Sequence, residues 1–93
     1  MRIEQNVGVA IYSKKDYERL LEISDNRADM NDTWLEWRKK TNELKQNMRT
    51  LGIIVKDVKI NLIELVRYCR ERGLPNDGAA RAQFVQEKLS GEI

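Results

Sequence analysis

The sequence predicts a helix-rich, two-layer α/β domain in the order β-α-α-β-α-α, and three observations carry that prediction. Two short runs rich in β-branched residues, Val7–Tyr12 and Ile53–Ile60, are bounded by polar or glycine positions, as strands are. Four stretches with apolar residues at helical spacing lie between and after them. Three of these open on residues that cap helices well, namely Ser13, Thr33 and Asn61. The same elements would also fit an α+β arrangement.

In the first run, β-branched residues alternate with Gly8 and Ala10, which puts the two small residues on one face, where a helix or another strand can come close. Ser13 ends the run and starts a helix, since its hydroxyl can accept from the free N–H groups of the first turn. Tyr17, Leu20, Leu21 and Ser24 then form a narrow stripe about three turns long. Asp25–Asp32 has no periodicity and reads as a loop. Its three aspartates suggest a calcium loop in spacing, but Met30 stands where such a loop requires glycine, so no metal is expected.

Thr33 and Glu36 form a capping box, the strongest helix start in the chain. From there Trp34, Trp37, Thr41, Leu44, Met48 and Leu51 recur at alternating steps of three and four, a heptad-like seam that ends at Gly52. Arg38, Lys45 and the other polar residues of this helix fall on its remaining faces. The second strand run follows, its later half edge-like because of Lys56, Asp57 and Lys59. Asn61 with Glu64 opens a helix to about Arg72 that turns Leu62, Leu65, Val66 and Cys69 inward, and Gly73-Leu74-Pro75 stops it. A last helix spans Asp77 to Leu89 on a weaker stripe of Ala80, Phe84 or Val85, Lys88 and Leu89.

No linker or low-complexity segment interrupts residues 1–93, which are read as one domain. Two strands alone make a marginal sheet, so either the pair is fully packed under helices or a second copy extends it, and a two-fold homodimer is the simplest way to extend it. A chain of 93 residues buries about 60 to 65% of its unfolded surface, so the core is thin. At 41% hydrophobic and 34% charged, the composition is globular with a heavily charged surface.

The net charge of +2 hides a division along the chain. Lys14–Trp37 carries four basic and seven acidic residues, whereas Arg38–Arg72 carries ten basic and four acidic. That basic middle can attract an anionic partner at long range. The absence of histidine excludes Ser/His and Cys/His catalysis and histidine-based zinc sites. Cys69 is the single cysteine and sits on an apolar helix face, where it reads as a small buried hydrophobe. No glycine-rich phosphate loop, nucleophile elbow or metal-ligand cluster is present, so no catalytic residue and no cofactor are expected. The polar start of the chain lacks the apolar run of a signal peptide, and a cytoplasmic location is expected.

The candidate interaction residues are Trp34, Trp37, Arg38, Lys45, Arg67 and Arg70. The tryptophans are large, rigid groups of the kind that anchor interfaces, although aromatics at helical spacing more often pack within a fold. The last two helices, joined by Gly73-Leu74-Pro75-Asn76, have helix-turn-helix spacing. The second of them balances Asp77 and Glu87 against Arg81 and Lys88, which makes a plain helical hairpin the better reading. Trp37, the strand Ile53–Ile60, Tyr68-Cys69, Gly73-Leu74-Pro75 and Ala80-Arg81 together resemble small uncharacterised bacterial proteins over most of the chain. That resemblance implies a bacterial, cytosolic setting and brings no activity with it. The function expected is a non-catalytic binding or protein-interaction module. The alternative is a nucleic-acid-associated protein that uses the basic segment 38–72, and no membrane role is expected.

Overall fold

The structure is a computed structural model and describes residues 6–93. Strand β1 (Asn6–Ile11) leads to helix α1 (Lys14–Ile23), a short 3-10 turn (Arg27–Asp29) and the long helix α2 (Trp34–Thr50). Strand β2 (Ile54–Lys59), helix α3 (Leu62–Arg72) and helix α4 (Gly78–Leu89) follow. This is the α/β order that the sequence predicts. The two strands pair in parallel, with Val7 opposite Val55, Val9 opposite Asp57 and Ile11 opposite Lys59. A parallel pair needs a long crossover, which α1 and α2 provide.

Alternation along the strands assigns the helices to faces. Gly8 lies against Val85 and Leu89 of α4 and beside Val58 of β2, so the even-numbered strand residues face α4. Asp57 instead reaches Lys45 of α2, at 2.9 Å, so the odd-numbered residues face α2. Parallel strands are stable only with both faces covered, and this sheet meets that requirement with one helix on each. The close approach to α4 depends on glycine: a Cβ at Gly8 would stand 2.7 Å from Val85 Cγ1. Gly8→Ala is therefore expected to cost about 1 to 3 kcal/mol through overpacking, read as a lower urea midpoint at unchanged m-value.

The core gathers Tyr17 and Leu20 of α1, Leu65, Tyr68 and Cys69 of α3, and Ala80, Phe84 and Val85 of α4, around Tyr12 and Ile60 just past the strand ends. Tyr68 is turned inward, a place that the α3 stripe read from sequence omits. All three predicted N-caps form. Ser13 Oγ accepts from the Asp16 N–H at 3.1 Å, Thr33 Oγ1 from Glu36 at 3.2 Å, and Asn61 Oδ1 from Ile63 and Glu64 at 2.9 and 3.2 Å. Gly73 closes α3 in the left-handed region, at φ 63°, with its N–H donating to Arg70 O and the Leu74 N–H to Cys69 O. Glycine is needed there because a Cβ strains that backbone conformation.

Helix α2 departs from the seam read in the sequence. None of its residues is fully buried, and Leu44 and Leu51 are 52% and 77% exposed. Lys45, assigned by its charge to a solvated face, is covered instead, its side chain only 12% exposed and its ammonium on Asp57. At 100° per residue, Trp34, Trp37, Thr41, Lys45 and Met48 share the side that meets the sheet, and the two leucines fall on its flank. The heptad spacing is real, but a 3.5-residue repeat drifts about 20° per heptad on a 3.6-residue helix, which carries Leu44 and Leu51 off the contact line.

Candidate functional site

The six candidate residues divide between two places. Trp34, Trp37, Arg38 and Lys45 line one cleft, of about 220 Å³, with Tyr12 and Asp57. Trp37 meets Tyr12 edge-on at 5.4 Å between ring centroids and stacks on Tyr17 at 5.4 Å. The Tyr17 hydroxyl donates to Asn31 O at 2.7 Å, which ties the loop before α2 to α1. The Trp34 indole N–H donates to Tyr12 O at 2.9 Å, and the Arg38 guanidinium lies 5.2 Å over the indole ring. Both tryptophans are half-buried and hold α2 to the end of β1. Burial pushes the Tyr12 phenol up to about 12 and raises that of Tyr17 as well, since neither ring has water around it to stabilise a phenolate. Those groups stay neutral and act as packing surface.

Arg67 and Arg70 lie elsewhere, on a groove of about 310 Å³ between α1 and α3. Ile63, Val66, Arg67 and Arg70 stand at i, i+3, i+4 and i+7 of α3, so one helix face carries two aliphatic groups followed by two cations. Leu65, Tyr68 and Cys69 take the inward face, and this leaves Ile63 74% exposed. Ile23 and Arg19 of α1 form the opposite wall, with Leu62 at the end. Among the described residues no carboxylate lines the groove. Among the described residues Arg67 and Arg70 make no ion pair, and Arg19 makes one exposed pair, with Glu22 at 2.7 Å. The groove is thus an apolar floor under an arginine rim of which Arg67 and Arg70, among the described residues, have no counter-charge.

Arg19, Ile23 and Ile63 escaped the reading of the sequence. Ile63 had a detectable signal, an isoleucine off the inward stripe of a capped helix. Arg19 and Ile23 join it only because α1 packs beside α3, a tertiary fact.

Three further cations of the basic segment are held within the fold. Lys45 is on Asp57, Arg38 on Trp34, and Arg72 stacks 4.0 Å over the Tyr68 ring and lies 3.7 Å from Glu87. Glu87 also accepts from the Tyr68 hydroxyl, latching α4 to α3. Burial raises the Cys69 thiol, keeping it a protonated packing group as the sequence suggests. Among the described residues no three His, Cys, Asp or Glu side chains gather as a metal site, and no helix is long and apolar enough to cross a membrane.

Compared with protein-family models, curated proteins and solved structures, the chain matches none of them.

Proposed function

We propose that this protein is a non-catalytic interaction module of the bacterial cytoplasm, a homodimer that binds an acidic, apolar-anchored peptide segment of a partner protein. The observation that carries this reading is the α1–α3 groove, in which Arg19, Arg67 and Arg70 rim the exposed Ile63 and its aliphatic neighbours. An amphipathic segment with leucine or isoleucine anchors and flanking Asp or Glu suits it. The anchors leave water, and carboxylates meet forked guanidinium donors in two-point geometry. Trp34, Trp37, Arg38 and Lys45 serve that function indirectly, by holding α2 on the sheet. The homodimer reading rests on the small sheet: its faces are covered, but two strands still gain stability from an added strand, which a second copy would supply.

The dispersal of Lys45, Arg38 and Arg72 onto partners within the fold argues against a continuous track for phosphates along residues 38–72. Selection of displayed peptides on the immobilised protein tests the proposal. Enriched sequences are expected to combine aliphatic and acidic residues and to bind Arg67→Glu/Arg70→Glu more than about tenfold more weakly, since each lost charged contact is worth about 1.5 to 3 kcal/mol. Selected peptides without acidic residues, or with equal affinity for the variant, overturn the peptide reading. Binding of duplex DNA at low salt that the same variant abolishes replaces it with the nucleic-acid reading.

A further inference from the structure

The sheet has two outer edges, and the structure treats them differently. In the parallel ladder the Ile60 N–H donates to Ile11 O, so Val7, Val9 and Ile11 turn their backbone groups toward β2, and Gly8, Ala10 and Tyr12 turn theirs outward. That outward edge of β1 is plugged by side chains. The Gln86 amide of α4 accepts from the Gly8 N–H at 3.4 Å and donates to Gly8 O at 3.1 Å, occupying both groups as a neighbouring strand would. Trp34 takes Tyr12 O, so that among the described residues Ala10 and the Tyr12 N–H lie open on this edge.

On β2 the same geometry turns the N–H and C=O groups of Val55, Asp57 and Lys59 to the outer edge. Among the described residues no side chain or loop bonds them. Such an edge is a template for another strand.

Resting on the homodimer reading, we infer that a second copy adds its β2 antiparallel to this edge, with Asp57 opposite Lys59 of the second copy and Val58 opposite Val58, to form a four-stranded sheet. Hydrogen-bonded pairs across an antiparallel edge must join outward-facing residues of both strands, which limits the register to a few choices. Of these, one sets Asp57 against Asp57 and another Lys59 against Lys59, both repulsive. The inferred register instead joins Asp57 and Lys59 twice, once on each side of the two-fold axis. Asp57 has room for this second cation because its side chain is 56% exposed while it holds Lys45. A two-fold axis normal to the sheet also keeps both copies of α2 in one layer, on the face of the exposed Leu44 and Leu51.

Light scattering and oxidative cross-linking separate the inference from the reading it rests on. The wild type is expected to be a dimer that forms no disulfide, because Cys69 is buried. Val58→Cys is expected to cross-link between copies on mild oxidation, since residues opposite each other in a non-hydrogen-bonded antiparallel pair approach to disulfide range. Lys59→Asp and Asp57→Lys are each expected to weaken the dimer by about tenfold as two attractive pairs become repulsive, and their mixture is expected to form heterodimers. A dimer in which Val58→Cys fails to cross-link and the charge variants change nothing overturns the edge and its register while leaving the homodimer intact. A monomer at tens of micromolar overturns both.

Discussion

Phe84→Ala is expected to lower stability by about 3 to 5 kcal/mol, the usual cost of emptying a fully enclosed aromatic site. Phe84 is 1% exposed and meets the Tyr68 ring edge-on at 5.1 Å, while Lys88 crosses its outer side at 6.0 Å. It stands where α3 and α4 close on the sheet, so the void cannot collapse without moving one of them. In a chain of 93 residues, a loss of this size takes a large share of the roughly 5 to 15 kcal/mol that holds a domain together. Chemical denaturation followed by circular dichroism measures it. A loss below about 1 kcal/mol would mean that the site relaxes freely, against the close packing described here.

The second large effect is expected at Arg81, which ties together two loops far apart in sequence. Its guanidinium donates to Asn76 O at 3.1 Å, Asn76 Oδ1 at 3.0 Å, Ser24 Oγ at 3.3 Å and Asn26 Oδ1 at 2.9 Å. Asn76, 7% exposed, is further held by the Asp25 carboxylate, which accepts from its N–H at 2.7 Å. In return the Asp25 N–H donates to Asn76 O at 2.9 Å. Arg81→Met keeps the length of the side chain and removes every donor, leaving Asn76 Oδ1, which is buried, and Asn26 Oδ1, which is half-buried, without their partner, at about 1 to 3 kcal/mol each. A total near 3 kcal/mol is expected after water satisfies the more open groups, together with faster amide exchange at Asp25 and Asn76. Arg81→Lys is not expected to restore it, because an ammonium cannot span acceptors spread across a planar fork. Full stability in Arg81→Lys would show that charge alone, and not the fork geometry, holds the loops.

Much of the fold is written locally. The caps at Ser13, Thr33 and Asn61 and the stops at Gly52 and Gly73 act within a few residues of themselves, so their chemistry can be read without knowing the partners. Gly8 is a middle case. Its small size announces a close neighbour, and only the structure names Val85 as that neighbour. Lys45 shows the limit of such reading. Charge assigns it to solvent, yet the presence of Asp57 opposite, on a strand that pairs elsewhere, makes covering it favourable. Leu44 and Leu51 err in the other direction, since hydrophobic spacing locates a stripe but not the angle at which another element meets it.

The candidate site divides along the same line. Arg67 and Arg70 could be named from their positive surroundings, but not the groove, because its second wall comes from α1, more than forty residues earlier in the chain. For this protein the sequence alone determined which segments become the two strands and four α-helices and, to within a residue or two, where each begins and stops, because capping, β-branching and glycine conformation are local forces. Only the tertiary structure decided that the strands run parallel, that Gln86 and Trp34 close one sheet edge while the other stays open, and that the tryptophans of α2 serve as anchors. Those outcomes depend on which distant groups meet, and the free energy of such meetings belongs to the packed chain as a whole.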